Sequence, residues 1–276
     1  MSRALAVCAD DFGVAANVTE AVLALGAAGR LNAVSCLVNG ATWRSDAPAL
    51  RGLDGRLDAG LHFNLSEGRP LSAALARHWA RLPSLPRLLA QAHLGRLPLA
   101  AIGTELEAQL DAFATALGRP PAYLDGHQHV HHLPGVRELI CAAVARLRPA
   151  PAVRNTGTVI GPGQAFKRAV IAGSGGRALQ RLLEARGIAH NAALTGVYGF
   201  DAPSYRRRMQ GWLGAVPAAG ALLFCHPGAR RAAAADDPIA AARVREFDYL
   251  RSDDFAADLA AADIELGRVW RVAPRR

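Results

Sequence analysis

The sequence predicts an α/β fold, a single (β/α) barrel-like domain over residues 1–276 in which helices cover parallel strands. Three observations support this prediction. Short apolar runs of strand length recur along the chain, helical patterns separate them, and hydrophobic residues make up 51% of the chain with only 6% aromatic residues. An alternation of strands with helices is typical of a parallel sheet, and catalytic groups then collect where the strands end.

The predicted strands are short apolar runs that end in turn or polar residues. They cover residues 4–9, 33–38, 59–65, 121–124, 152–154, a weak run near 190, 220–225, and 264–266 with 269–270. No internal repeat accompanies them.

The predicted helices occupy the intervals between these strands. They cover residues 17 to about 29, 43–50, 104–117, 135–147, 177–186, 205–213, 239–250 and about 254–262. Asn17 is a candidate N-cap, and Thr104 with Glu107 fits a capping box. We expect residues 70–100 to form an insertion of short helices and loops over one face of the sheet. The glycines between 156 and 176 indicate that part of this stretch is a loop.

Composition narrows the classes of partner. The net charge of +9 is compatible with nucleic-acid binding, but Lys167 is the only lysine and the longest arginine run is 206–208. We therefore interpret the charge as a solvated basic surface and expect no nucleic-acid partner. No apolar run approaches the roughly 18 residues of a membrane span. The apolar stretch near the N-terminus is too short for a signal peptide, so we expect a cytoplasmic protein.

The four cysteines lie in apolar stretches without a Cys-x-x-Cys pair. They are Cys8, Cys36, Cys141 and Cys225. This pattern favours buried thiols over a disulfide framework.

A histidine cluster follows the predicted strand at 121–124. If the backbone stays extended, Asp125, His127, His129 and His131 share one face, whereas His132 breaks the alternation and is a bystander. Neutral imidazoles are common ligands of divalent metals. The cluster therefore predicts a metal or acid/base site, with a chance polar loop as the alternative.

Polar groups also follow other predicted strands. Asp10 and Asp11 end the first strand, His62 lies near the end of the third, and His226 follows 220–225. Adjacent buried carboxylates are costly without partners, so the two aspartates should border a cleft. Together with His127, these side chains predict one site at the carboxyl edge of the sheet.

Five motifs resemble those of the YdjC-like carbohydrate deacetylase family, which includes chitooligosaccharide deacetylases and a branch associated with hopanoid biosynthesis. The motifs are ADDFG at 9–13, VNG at 38–40, GLHFNLSEG at 60–68, DGHQHVH at 125–131 and CHPG at 225–228. The resemblance runs from near residue 4 to about 265. It implies a fold related to polysaccharide deacetylases, a possible homodimer, and removal of an acetyl group from an N-acetylated sugar or glycolipid.

The resemblance also implies one divalent metal ion per chain, magnesium or zinc, with Asp11, His62 and His127 as ligands and Asp10 as the base. Three departures bear on sugar preference. Gly126 stands where serine is more usual, Phe63 where leucine is common, and residues 229–235 form an unusual Ala- and Arg-rich loop.

We expect the metal to polarise the acetyl carbonyl and activate water while Asp10 accepts a proton. His226 is the candidate proton donor to the amine. His129 and His131 are competing donors, substrate-binding residues or supports of the metal ligands.

Several other residues have open alternatives. Arg154 could orient Asp10, bind substrate or form a salt bridge at a strand end. Arg245 and Glu246 could pair on a helix surface. Three aromatic residues could stack on a sugar or belong to the core, and they are Trp43, Tyr198 and Phe200.

Two other function classes are compatible with the sequence. One is a different metal-dependent hydrolase, such as a phosphoesterase or an enzyme acting on a lipid-linked sugar. The other is a non-catalytic basic nucleic-acid-binding protein, which steeply salt-dependent binding would favour.

Overall fold

Eight parallel strands form one sheet in the computed structural model, which describes residues 2–201, 204–230 and 237–272. The strands are β1 (Arg3–Phe12), β2 (Ala33–Cys36), β3 (Asp58–Phe63), β4 (Tyr123–Gly126), β5 (Ala152–Val153), β6 (Leu194–Thr195), β7 (Ala221–Cys225) and β8 (Ile264–Leu266).

The strand order is β5-β4-β3-β2-β1-β7-β6, and β8 pairs with the start of β1. Isolated bridges pair Val159 with Leu194 and Val153 with His190, so the sheet curls toward closure. The predicted (β/α) barrel-like architecture is confirmed. Since all strands run parallel, their carboxyl ends meet at one edge.

Helices cover the outer face of the curled sheet. They are α1 (Ala16–Ala27), α2 (Trp43–Leu50), α3 (Ala73–Ala76), α4 (Leu85–His93), α5 (Leu99–Leu117), α6 (Val136–Arg146), α7 (Ala165–Ile171), α8 (Arg177–Arg186), α9 (Tyr205–Ala215), α10 (Ala240–Leu250) and α11 (Asp253–Ala261). Short 3-10 segments lie at Arg51–Leu53 and His127–His132, and a short π-helical segment lies at Ala172–Gly176.

β1 shows how side-chain alternation builds two layers. Leu5 and Val7 belong to the large outer core under the helices, whereas Ala6 and Cys8 belong to a smaller inner cluster. That inner cluster is completed by Tyr123, and a Cβ on Gly60 would lie 2.4 Å from its ring. Small inward residues therefore leave room for the Tyr123 ring, which stacks on Trp270 and whose hydroxyl contacts Cys8 and Ser35.

Both capping predictions are wrong. α1 begins at Ala16, so Asn17 lies inside the helix, and α5 begins at Leu99, so Thr104 is interior and donates to the Ala100 carbonyl. Apolar packing extends α5 upstream, since Ala101 and Ile102 are buried. α7 and α8 meet at a kink in the π-helical turn Ala172–Gly176, where Gly175 has a φ of 158°.

The cysteine prediction is confirmed, because all four thiols are free and buried.

Among the residues that the structure describes, no helix has the length and apolarity needed to cross a membrane. Of the unusual loop, Ala229 is buried and Arg230 is exposed, while 231–235 lie outside the described residues.

Candidate functional site

The carboxyl ends of β1, β3, β4 and β7 open into one cavity of about 360 Å³. Its lining includes Asp10, His62, His127, His129 and His226. An adjoining cavity of about 370 Å³ is lined by Asp11, Glu67, His127, His226 and Arg243, among others. The first volume lies within the range of about 300 to 1,000 Å³ typical of small-molecule sites. The predicted strand-end residues are therefore brought together.

The extended backbone on which the shared face of these histidines depends does not continue past Gly126. β4 ends at Gly126, and His127–His132 form a 3-10 turn in which Gln128 and His129 have φ of 52° and 62°. The two-residue alternation holds only for extended backbone, so the histidines diverge. His127 faces Asp11, whereas His131 turns beneath the cavity floor and its Nε2 lies 2.9 Å from the Arg154 carbonyl oxygen.

Asp11, His62 and His127 each offer one ligand atom, and these atoms all lie within 4.8 Å of one another. Asp11 Oδ1 lies 3.1 Å from His127 Nδ1 and 3.6 Å from His62 Nε2. The opposite nitrogen of His62, Nδ1, lies 2.7 Å from Asp125 Oδ1.

This geometry suits a divalent cation. A carboxylate accepts, so His62 Nδ1 donates to Asp125, which directs Nε2 on the opposite side of the ring toward Asp11. One carboxylate oxygen and two imidazole nitrogens that converge in this way are a common ligand set for a divalent metal. A carboxylate behind a ligating imidazole is also the usual support of a metal-binding histidine.

A second close group, Cys8 with Asp10 and Asp125, does not fit a cation. The Arg154 guanidinium already lies among these side chains, 2.6 Å from Asp10 Oδ1 and 2.6 Å from Asp125 Oδ2. Within the described ranges, these residues offer no second metal position beside the first, which disfavours a two-metal phosphoesterase.

Asp11 reaches the site through an unusual backbone conformation. Its φ of 68° lies in the left-handed region, and the pairing register of β1 with β2 shifts between Ala9 and Phe12. Strict alternation would direct Asp11 toward the outer helices, so this irregularity turns it inward beside Asp10. Strain of this kind in a non-glycine residue is typical of functional positions.

Arg243 of α10 holds the other side of the Asp11 carboxylate. Its Nη2 donates to Asp11 Oδ2 at 2.8 Å, and its Nε donates to Asp237 Oδ2 at 2.8 Å. Burial raises the pKa of Asp11, but the His127 hydrogen bond and the Arg243 charge outweigh it, so the pKa is held well below its ordinary value. Asp11 is therefore an anion at neutral pH.

Asp10 is held by a paired contact. Arg154 Nη1 and Nη2 donate to its two oxygens at 2.8 and 2.6 Å. Burial raises the pKa of Asp10, yet the Arg154 guanidinium outweighs it and the net pKa falls. Arg154 directly follows β5, and this geometry fits two of its alternatives, a salt bridge at the strand end and the orientation of Asp10.

The substrate-binding prediction for Arg154 and His131 is wrong. Both side chains have no exposed surface, and neither lines either cavity of the site. Burial lowers the pKa of His131 to about 4, which makes it a neutral support beneath the ligands. His129 is half-buried and lines the cavity, so its predicted substrate contact stays a prediction.

His226 lines both cavities, and its ring packs edge-on against Phe200 and Phe224 at centroid distances of 5.3 and 5.7 Å. Burial lowers its pKa to about 4, so the ring is neutral at neutral pH. Its predicted role as proton donor stays a prediction and requires that the ring first gain a proton.

The prediction that Glu246 lies on a helix surface is wrong. Its side chain is fully buried and accepts from the Tyr198 hydroxyl and from the His226 backbone N–H, the latter at 2.5 Å. Burial raises its pKa to about 7. Arg245 donates separately to the Phe200 carbonyl.

The three aromatic candidates for sugar stacking lie in two different places. Trp43 is a core residue stacked on Phe113 with centroids 6.0 Å apart, which excludes sugar stacking. Tyr198 and Phe200 line the cavity.

Sequence reasoning missed two charged residues of the site, Glu67 and Arg243. A Glu67 carboxylate oxygen lies 3.2 Å from His127 Nε2. Burial lowers the pKa of His127, but Asp11 and Glu67 outweigh it and raise the pKa to about 10. Glu67 carried a usable signal, since it follows the strand that bears His62. Arg243 carried none, because it lies 232 residues from its partner Asp11.

Comparison with known proteins places this geometry in context. A family model described as YdjC-like protein matches residues 4–261. A carbohydrate deacetylase of Mus musculus is 40% identical over 166 residues, 56% of this chain and 52% of that protein. A chitooligosaccharide deacetylase of Enterobacter sp. (strain 638) is 33% identical over 153 residues, 53% and 57% respectively. The chain thus spans about half the length of the curated relatives it matches.

Solved structures show the same fold at low sequence identity. A protein of Enterococcus faecalis named for cellobiose-phosphate cleavage superposes with a TM-score of 0.74 at 17% identity, covering 98% of both chains. A peptidoglycan N-acetylglucosamine deacetylase gives a TM-score of 0.52 at 9% identity, covering 96% of this chain and 85% of the other. At such identities the likeness concerns the fold alone.

Proposed function

The chain belongs to the YdjC-like family, and from this membership and the site geometry we propose that it hydrolyses the acetamide of an N-acetylated sugar using one divalent metal ion. The observation that carries the proposal is the group of Asp11, His62 and His127 at the cavity edge with Asp10 beside it. The names of the two curated relatives, carbohydrate deacetylase and chitooligosaccharide deacetylase, support the substrate class.

Asp11, His62 and His127 would hold the ion. Two imidazoles and one carboxylate leave positions open for water and substrate, as a catalytic metal requires. A bound ion supplies Lewis-acid polarisation of the acetyl carbonyl and lowers the pKa of water. Two residues keep the ligands oriented. Arg243 donates to Asp11 Oδ2, the oxygen that faces away from the histidines, and Asp125 accepts from His62 Nδ1, the nitrogen that faces away from Asp11.

Asp10 is the proposed base. Its carboxylate borders the cavity, is ionised, and is held by Arg154 so that it cannot rotate away. In the overall reaction the amide C–N bond breaks, the water oxygen becomes an acetate oxygen, and the departing amine gains a proton.

His226 is the proposed donor of that proton. Its neutral ring cannot donate to the amine until it is protonated, and the proton released from water is available in the same cavity. Glu246 holds the backbone of His226 and thereby fixes where the ring stands. A cytoplasmic location and a homodimer stay predictions.

Acetate release tests the proposal. Chelator-treated protein is assayed on N,N′-diacetylchitobiose and on an N-acetylglucosaminyl lipid, without metal and with added Zn²⁺ or Mg²⁺. We expect release that is restored by metal, abolished in Asp11→Asn protein and retained in Asp54→Asn protein, whose altered carboxylate is exposed and paired with Arg119. Absence of release with every ion and both substrates would refute the proposal.

A further inference from the structure

His132, the predicted bystander, is the centre of a polar relay in the cavity wall. His132 Nδ1 lies 2.8 Å from Thr156 Oγ1, and its Nε2 lies 3.0 Å from Ser174 Oγ. His132 and Thr156 are buried, whereas Ser174 is half-buried on the π-helical turn. His132 and Ser174 both line the 360 Å³ cavity.

Burial fixes the direction of the protons in this relay. It holds the pKa of His132 well below its ordinary value, so the ring is neutral and carries a single N–H. The Thr156 hydroxyl is fully buried, and His132 Nδ1 is its hydrogen-bond partner within the described part of the chain. If Nδ1 carried the proton, the threonine proton would have no acceptor, at a cost of about 1–3 kcal/mol.

Thr156 therefore donates to His132 Nδ1, and His132 Nε2–H donates to Ser174 Oγ. In this arrangement the imidazole cannot take a proton from Ser174, which argues against a nucleophilic serine. The Ser174 hydroxyl donates to the Ile171 carbonyl at 3.4 Å, and a ligand oxygen at a shorter distance can replace this long hydrogen bond. Hydrogen bonds in series strengthen the last donor of the chain.

The cavity wall around the Ser174 hydroxyl determines which ligands this donor selects. Leu133, Val170 and Ile171 line the same cavity as the relay, and Lys167 lines it as well, with its Nζ donating to the Tyr198 carbonyl at 2.9 Å. A few placed polar groups in an apolar wall orient a ligand and set specificity.

Ring contacts connect the relay to the proposed metal centre. His129 lies 6.1 Å from His132 and 5.4 Å from Phe224, and Phe224 lies 5.7 Å from His226. The wall is therefore continuous. His62 and His127 line the same cavity as Ser174, so a substrate with its acetamide beside these two histidines has the Ser174 wall within the same cavity.

We propose that Ser174, positioned by His132 and Thr156, binds an uncharged oxygen of the sugar unit next to the one that is deacetylated. The acceptor is a hydroxyl, ring or glycosidic oxygen, and Ser174 is a specificity-determining residue for substrates longer than one sugar. This inference rests on the proposed function.

The kinetic test compares kcat/KM for acetate release from N,N′-diacetylchitobiose and from N-acetylglucosamine. We expect Ser174→Ala to lower the ratio of the two values about 3- to 10-fold, mainly through KM for the disaccharide. Ser174→Thr, which keeps the hydroxyl, restores the ratio, and Thr156→Val lowers it in the same direction. Ser45→Ala, an exposed serine outside the cavity, is the matched control. An unchanged ratio in Ser174→Ala overturns the proposal.

Nitrogen NMR of histidine-labelled protein tests the relay without any activity. We expect the Nε2–H tautomer of His132 in the unaltered protein, and the Nδ1–H tautomer would overturn the relay. If the unaltered protein releases no acetate from these two sugars or from the N-acetylglucosaminyl lipid, the proposed function fails, and calorimetric Kd values decide the binding role. Ser174→Ala must then weaken binding of diacetylchitobiose more than that of N-acetylglucosamine, and equal changes overturn the proposal.

Discussion

Asp10 and Asp11 are neighbours in sequence but belong to two different regions. Asp10 points into a buried ion cluster with Arg154 and Asp125, where opposite charges lie 2.6 Å apart and the guanidinium has no exposed surface. Asp11 points into an open centre with His62 and His127, where three ligand atoms lie within 4.8 Å of one another beside a cavity.

The difference separates support from chemistry. In the buried ion cluster each carboxylate already has its cation, so the cluster can only hold shape and orient Asp10. In the open centre Arg243 and His127 also pair with Asp11, but the ligand atoms of Asp11, His62 and His127 converge at the edge of a cavity, so an ion can reach them. Charge pairing that is closed off from the cavity thus indicates structure, and convergence of ligand atoms at the cavity edge indicates a candidate ligand site.

The largest expected effect is at the open centre. Asp11→Asn removes the charge that faces both imidazoles, and we expect Zn²⁺ binding to fall below detection by calorimetry while the fold persists. Asp54→Asn should bind Zn²⁺ like the unaltered protein. Equal binding by Asp11→Asn protein would contradict the metal assignment.

Arg154→Met tests the buried ion cluster. Removing the guanidinium leaves two buried carboxylates without a cation, so we expect the free energy of unfolding in urea to fall by about 3–5 kcal/mol. Arg119→Met breaks an exposed pair with Asp54 and should cost less than about 1 kcal/mol. A similar small loss for both variants would show that the cluster is not a support.

Glu246 is an intermediate case, a buried carboxylate that is bonded by neutral donors. Its pKa is raised from 4.5 to about 7, so the folded state binds the proton more tightly than the unfolded state. This group's contribution to stability is fully present below pH 4.5 and is lost as pH rises through 7, by about 3 kcal/mol in total.

Glu246→Gln removes that titration. We expect urea unfolding at pH 5 and pH 8 to show a larger drop in stability for the unaltered protein than for this variant. An identical drop in both proteins would show that Glu246 keeps an ordinary pKa.

Asp125 connects the two regions, because one of its oxygens pairs with Arg154 and the other accepts from His62. The variant Asp125→Asn tests this connection. We expect Zn²⁺ affinity to fall about 10- to 100-fold, because the imidazole loses its carboxylate support. Calorimetry checks this change. Full affinity in the variant would mean that His62 orientation does not depend on Asp125.

The chain's local patterns were sufficient for much of the fold. Apolar runs predicted the strands, helical spacing predicted α2, α6 and α8 nearly to the residue, and parallel topology predicted that Asp10, His62 and His226 would converge. These predictions succeeded because hydrophobic periodicity and strand direction are local or topological properties. The family motifs likewise depend only on residue order.

Only the tertiary structure decided the orientation and charge state of the site. The left-handed backbone at Asp11 and the 3-10 turn at 127–132 override simple alternation. Arg154 and Arg243 meet Asp10 and Asp11 across 144 and 232 residues, and the burial of Thr156 sets the proton on His132. Ion pairing and desolvation depend on distance in space and exclusion of water, and neither quantity is encoded in the spacing of residues along the chain.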